Sequence, residues 1–204
     1  MYVPSSFAET DREKLHDFVE QHSFGLLVTH RKETSLASHL PFLLDRQAGP
    51  QGTLIGHLAR ANSQWEGDDQ AEVLTIFSGP HAYISPTWYA EELVVPTWNY
   101  IAVHVYGRVT WIHNPTELLE IVKDSVQFYE QSLPQPWQLD APAEFIEKLL
   151  KQIVGFRIEI TRMEGKWKLN QNHPAERRER VIQALSQRSD DNSQGIAAAM
   201  IARR

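Results

Sequence analysis

A chain of 204 residues with 42% hydrophobic and 23% charged side chains has the balance of an ordinary globular protein, with enough apolar material for a sizeable core. Its net charge of −6 argues against a broad nucleic-acid surface, which needs clustered Lys and Arg to displace counterions, while leaving room for a local basic patch. The lack of any cysteine excludes disulfides, thiolate metal sites and thiol catalysis, and no apolar run approaches the length that a bilayer requires.

The N-terminus, Met1-Tyr2-Val3-Pro4, has neither the basic start nor the apolar run of a signal peptide, so the expected location is the cytoplasm. Thr10-Asp11-Arg12-Glu13 has the form of a capping box, and Leu15, Phe18, Val19 and His22 recur at helical spacing, which predicts a helix over 11–22. Phe24 to His30 then reads as a short strand and Leu36 to Leu44 as a second, joined by the polar turn Arg31-Lys32-Glu33-Thr34. In the second strand Leu36, Leu40, Phe42 and Leu44 share one face and His39, Pro41 and Leu43 the other. Pro41 cannot donate to a ladder, which puts it at an edge or a bulge.

Gln47 to Gly52 makes the next turn and Thr53-Leu54-Ile55 the next strand. Val73 to Ser78 follows as a strand, broken by Gly79-Pro80 and resumed by His81 to Ser85, before a loop from Pro86 to Pro96 that carries Trp88 and Tyr89. The longest β signal runs from Thr97 to His113, with Tyr100, Ala102, His104 and Tyr106 facing one way, Ile101, Val103 and Val105 the other, and Gly107 as a bulge. Asn114-Pro115-Thr116-Glu117 starts a helix whose stripe is Leu118, Val122, Val126 and Tyr129. Asp140 opens another, to about Gln152, with Phe145, Leu149 and Leu150 inward. Val154 to Met163 and Lys166 to Leu169 read as a hairpin through Glu164-Gly165. Pro174 begins a helix carrying Val181, Ile182 and Leu185, Ser189 to Gly195 is a polar linker, and Ile196 to Arg204 a short helix. The domain reading is one main domain over 1–188 followed by linker and helix over 189–204. Six or seven strands in sequential order, without regular βαβ alternation, favour a mainly β antiparallel barrel with flanking helices over a doubly wound sheet.

One stretch carries most of the chemistry: Gly56-His57-Leu58-Ala59-Arg60-Ala61-Asn62-Ser63-Gln64-Trp65. Ala59 to Glu66 has the residue types of a brief helix, which puts Arg60 in or beside its first turn, where free N–H groups and the helix dipole favour a phosphate. Arg60 adds a bidentate charge-assisted contact and Asn62 or His57 a further donor; the competing reading is a solvated arginine at a strand-to-helix corner. The histidines lack metal-binding spacing, and no nucleophile elbow or phosphate-loop motif is present.

Together with that stretch, His39-Leu40-Pro41-Phe42, Gly79-Pro80-His81-Ala82-Tyr83-Ile84-Ser85-Pro86, Val95-Pro96-Thr97-Trp98-Asn99-Tyr100 and Lys168-Leu169-Asn170-Gln171-Asn172 resemble the PaiB-like family of FMN-binding negative transcriptional regulators, from Met1 to about Leu185. The resemblance implies an FMN-binding split β-barrel related to pyridoxamine-phosphate oxidases and flavin reductases, forming a homodimer with FMN in clefts at the subunit interface. Ser63 stands where proline is typical and Asn170 where serine is typical; neither change removes a charged donor. By the same resemblance, Arg60 and His57 hold the FMN phosphate and Asn62 reaches the ribityl hydroxyls. Backbone groups around His39, Leu40 and Pro41 satisfy the ring edge, with His39 donating to the reduced flavin. Trp98, Asn99 and Tyr100 come from the dimer partner as a wall or a polar clamp, and Lys168, Gln171 and Asn172, on the final hairpin edge, reach a phosphate or a substrate. The plainer readings are a surface histidine for His39, core aromatics for Trp98 and Tyr100, and a solvated charge for Lys168. His81, Tyr83 and His104 lie near the cleft in this scheme without a catalytic role.

Two functions follow. One is a negative transcriptional regulator; yet no helix-turn-helix is convincing and Arg177-Arg178-Glu179-Arg180 reads as a solvated helix face, so DNA is either a weak partner or is reached through another protein. The other is a flavin-dependent oxidoreductase passing electrons between NAD(P)H and a small acceptor, with a flavin or heme carrier as the remaining alternative; no residue identifies a hydride-donor site.

Overall fold

Local signals set the helix starts and distant partners set the strand lengths. The computed structural model describes residues 1–31 and 33–203, so Lys32 of the expected turn and Arg204 of the expected last helix lie outside the described residues. β1 (Ala8–Glu9) precedes α1 (Arg12–Gln21), whose cap is Asp11 and not Thr10: Asp11 Oδ1 accepts from the Glu13 N–H at 3.0 Å, while Glu9 takes the N–H groups of Thr10 and Asp11. β2 (Phe24–Arg31) pairs antiparallel with β3 (Thr34–Pro41) from Phe24↔Pro41 to Arg31↔Thr34. The second expected strand breaks at Phe42, and β4 (Leu43–Asp45) pairs with β5 (Thr53–Ala59). β6 (Glu72–Ile84) runs through Gly79-Pro80 without a break, and β7 (Thr97–Ile112) runs through Gly107. Gly107 serves close approach: a Cβ there would lie 2.5 Å from the Glu159 carbonyl oxygen.

Asn114 caps α2 (Pro115–Glu130) as its sequence predicts, its Oδ1 accepting from Thr116 and Glu117 at 2.9 and 3.3 Å. The buried stripe is Leu118 and Ile121, whereas Tyr129 is exposed and donates to Ser23 Oγ. α3 (Ala143–Leu150) is shorter than expected and turns only Leu150 fully inward; Phe145 and Leu149 face out. The hairpin expected at Glu164-Gly165 does not form. β8 (Ile153–Lys168) continues straight through it because β1 supplies ladder partners there, Ala8↔Lys166 and Glu9↔Gly165. α4 (Ala175–Ser186) follows, and α5 (Asp191–Ile201) begins inside the stretch read as linker, since Asp190 accepts from the Ser193 N–H at 2.9 Å and caps it.

The chain divides into two compact units, one made of 16–77 and 104–163, the other of 1–15, 78–103 and 164–204. The strands follow the order β3-β2-β6-β7-β8-β5-β4. In the larger unit β3 and β4 stand at opposite ends of this order, yet a single residue, Phe42, joins them. An open sheet cannot meet both conditions; the sheet must curl until its ends meet, as in a barrel. Phe42 fills the resulting interior, 2% exposed, its ring 5.4 Å from Phe77 and 5.5 Å from Phe156. Leu27, Leu54, Leu58 and Ile158 complete that core, and Ile112, Leu118, Ile121 and Leu150 form a second layer beneath the helices. In the smaller unit Val181, Ile182 and Leu185 of α4 and Ile196, Ala197 and Met200 of α5 are buried.

Phe42→Ala removes a wholly buried ring at the point of closure, and a loss of about 3–5 kcal/mol is expected. The denaturant midpoint of the purified variant against the parent, at unchanged slope, measures it.

Candidate functional site

In the larger unit two motifs meet because Gly56 has no side chain. A Cβ on Gly56 would lie 2.9 Å from the Pro41 carbonyl oxygen and 2.6 Å from Phe156 Cζ, so only glycine lets β5 come this close to the end of β3. His39-Leu40-Pro41 thereby lies beside Gly56-His57. β3 is a terminal strand, as Pro41 requires, and among the described residues its outward N–H and C=O groups have no strand to pair with. His39 is exposed and its ring stacks on exposed Phe24 at 6.0 Å.

Asn62 ties the turn after β5 to the same place. Its Oδ1 accepts from the Gln64 N–H at 3.0 Å, and its Nδ2 donates to Ser38 Oγ at 2.8 Å, one residue before His39. Gln64, buried at 3%, reaches Leu27 O, Thr29 Oγ1 and Leu36 O at 3.2 to 3.3 Å and stitches the turn to β2 and β3. Neither Ser38 nor Gln64 is legible as a site residue in the sequence; a glutamine amid small polar turn residues was the one available signal. His57 is half-buried, and its Nδ1 is sealed from solvent without a hydrogen-bond partner among the described residues. Burial holds the imidazole below the ordinary histidine range, so the neutral ring offers one unfilled polar atom.

Arg60 does not occupy a helix start. The helix expected over Ala59 to Glu66 is one 3-10 turn, Ser63–Glu66, capped by Asn62, and Arg60 precedes it. Its Nε donates to Lys151 O at 2.9 Å, its Nη2 to Ile153 O at 2.8 Å and its main-chain N–H to Gln152 O at 2.7 Å. The guanidinium therefore ties β5 to the connection between α3 and β8, leaving Nη1 as the nitrogen without a hydrogen-bond partner among the described residues. It borders a cavity of about 260 Å³ lined also by Glu147 and Lys151, of opposite charge.

In the smaller unit Trp98 is 53% exposed, which excludes the core reading, and its ring lies 5.9 Å from Tyr83 and 6.2 Å from His81. Asn99 is fully buried, with Oδ1 unpartnered among the described residues and Nδ2 donating to Met200 Sδ at 3.5 Å. Tyr100 is half-buried beneath the Lys166 ammonium, 5.2 Å from its ring centre. Lys168 stands at the end of a strand rather than on a hairpin and is no solvated charge: its Nζ donates to Trp98 O at 2.7 Å and to Thr97 Oγ1. Burial and then neighbouring Lys166 hold its ammonium below the usual lysine range. Gln171 is consumed by the turn after β8, accepting from the Leu169 N–H at 2.7 Å and donating to Trp167 O. Asn172 is exposed and lines a cavity with Lys168. The basic stretch of α4 is not simply solvated: Arg177 pairs with Glu91 and donates to His173 Nδ1, Arg180 lies 3.5 Å from Glu91, and Arg178 donates to Arg203 O.

A curled antiparallel sheet with this strand order is a flavin-type split barrel. Solved structures of similar fold include the flavocytochrome Anf3 from Azotobacter vinelandii, with a TM-score of 0.61 and 12% identity over 79% of this chain and 69% of that one. Another is the FAD and heme binding protein from Mycobacterium smegmatis, with a TM-score of 0.61 and 12% identity over 84% of this chain and 78% of that one. Residues 1–162 match the family model described as "Putative FMN-binding domain", and the chain belongs to that family. It is 36% identical over 203 residues to the protease synthase and sporulation protein PAI 2 of Bacillus subtilis, covering 98% of this chain and 96% of the relative. It is also 33% identical over 248 residues to an uncharacterized protein of Aspergillus fumigatus, covering 97% of this chain and 95% of the relative.

Two outcomes test the geometry. Arg60→Ala should cost about 2 kcal/mol in urea unfolding, because two charge-assisted bonds to the Lys151 and Ile153 carbonyls, where α3 gives way to β8, are lost. For His57 the unfolded chain binds the proton more readily than the folded one, so stability falls as pH drops through about 6.5 toward the depressed folded value. His57→Gln should flatten that slope between about pH 7 and 5 when unfolding is followed across the range; His104 and His173, also lowered by burial, keep the remainder.

Proposed function

We propose that this chain is a cytoplasmic, homodimeric FMN-binding protein that lowers transcription in the manner of the PaiB-like family. FMN binding is carried by one observation: within the residues that the FMN-domain family covers, His39-Leu40-Pro41, His57 and Asn62 are packed at one end of the curled sheet. That donor set suits the cofactor. The free main-chain groups of β3 around His39, Leu40 and Pro41 meet the polar edge of the ring, and His39 donates to it. Asn62, whose Oδ1 is spent on the Gln64 N–H and whose Nδ2 is spent on Ser38 Oγ and Gln64 Oε1, acts by holding the turn in place, while the His57 ring and Arg60 Nη1 are the groups offered to the ribityl hydroxyls and phosphate. Exposed Trp98, with Tyr100 and Asn99, belongs to the wall that a second subunit contributes. Gln171 shapes the turn that presents Lys168 and Asn172. Bound FMN supplies reversible electron acceptance, while the chain binds, orients and shields it.

The regulatory part follows from the resemblance, and the surface charges favour an indirect route to DNA. The arginines of α4 are tied to Glu91, His173 and Arg203, while α5 opens on Asp190 and Asp191 and carries no Lys or Arg. Such a helix pair offers phosphate few uncommitted cations. The same observation favours the second reading, an NAD(P)H-dependent oxidoreductase, for which the rings of His81, Tyr83 and Trp98 offer stacking to a second flat substrate.

Titration with FMN, followed by visible absorbance, should saturate at one flavin per subunit. Asn62→Ala and His57→Ala should each weaken binding about tenfold, equivalent to ~1.4 kcal/mol. Absence of saturable binding by the folded parent would sink the flavin reading. Retardation of promoter DNA at stated salt with competitor, set against NAD(P)H oxidation by the flavin-loaded protein, then separates regulator from enzyme.

A further inference from the structure

In the smaller unit a cavity of about 380 Å³ sits over Lys168, lined by Phe7, Tyr89, the 93–97 segment, Asn170, Asn172, His173 and Arg177. Its polar lining is one of donors. Lys168 spends two protons on Trp98 O and Thr97 Oγ1 and keeps a third. Asn170, only 2% exposed, holds a left-handed backbone at φ 60°, and among the described residues its Nδ2 finds only the Tyr89 hydroxyl at 3.5 Å, the limit of a hydrogen bond. Arg177 can only donate, so His173 Nδ1 accepts from it at 2.8 Å and the neutral ring keeps its proton on Nε2. Arg177 is in turn paired with Glu91, which leaves Lys168 as the lining cation with no carboxylate opposite it among the described residues. The other walls, Phe7, Leu93, Val94, Val95 and Pro96, are apolar.

A half-buried ammonium with one proton to give, an under-used amide and an apolar shell suit a planar monoanion with a hydrocarbon body better than they suit a dianionic phosphate, which needs more cations. All the cavity's charged and amide side chains follow residue 162, where the FMN-domain match ends. We propose that this cavity binds a small organic carboxylate as a second ligand in addition to the flavin: its oxygens on Lys168 Nζ and Asn170 Nδ2, its alkyl or aryl body against Phe7, Tyr89 and the 93–96 segment. The burial that lowers the Lys168 ammonium's pKa is offset when such an anion arrives. The assignment does not need the flavin donors at His39, His57 and Asn62, but it gives Lys168 to the second ligand instead of to the flavin.

The test is calorimetric titration of the flavin-loaded full chain with sodium hexanoate, and with hexanamide as its neutral counterpart. Saturable one-to-one binding of hexanoate is expected, with binding at least about tenfold weaker for hexanamide and for Lys168→Met. Lys168 also supports the 97–98 backbone, so Val95→Asp provides a second variant: an exposed lining residue acquires a negative charge and should weaken hexanoate while sparing the flavin absorbance. No hexanoate binding at millimolar concentration, equal binding of acid and amide, or undiminished binding to Val95→Asp overturns the proposal. So does mole-for-mole displacement of hexanoate when FMN is added to flavin-free protein, since the anion bound there would then be the flavin's own phosphate. Flavin absorbance recorded in the same cell reports the FMN reading separately.

Discussion

The constraint on which the larger unit depends is the single-residue link at Phe42. Two strands that stand farthest apart in the hydrogen-bonded order have one residue between them, so the sheet cannot stay open. The side chain that pins the corner is also the one that fills the interior, between Phe77 and Phe156. Closure and core formation are thus one event, and the close approach of β5 at Gly56 follows from it. The flavin donors proposed here sit where closure brings β3 and β5 together, which couples the geometry of the site to the packing of the barrel.

How much of this is legible in the sequence depends on the reach of the interaction. β7 reads correctly over nearly its whole length because alternation of Ile101, Val103 and Val105 against Tyr100, Ala102 and His104 is a local period. The start of α2 reads correctly because Asn114 and Pro115 act within one turn. β8 misleads because Glu164-Gly165 is a turn dipeptide by composition, while β1, more than 150 residues earlier, holds it extended. Gly165 is there for packing: a Cβ would meet Leu15 Cδ2 at 2.4 Å. The same holds for Gly107, whose freedom is spent on backbone approach rather than on a bulge.

The candidate site divides along the same line. The resemblance groups His39, His57 and Asn62, and the structure brings His39, Gly56-His57 and Asn62 together within one unit. Arg60 could not be read from its own neighbourhood, because the carbonyls it serves belong to Lys151 and Ile153. Arg177, Arg178 and Arg180 likewise resemble a basic patch until Glu91, His173 and Arg203 are in place. Lys168 is the informative exception, a lysine drawn into an apolar wall with its charge unanswered by a carboxylate among the described residues.

The family match stops at residue 162, whereas β8 runs on to Lys168. A gene trimmed at that profile boundary would amputate a strand in mid-course, strip β1 of both its rungs at Gly165 and Lys166, and discard the two terminal helices. The family match and the paired strands therefore end at different residues in this protein.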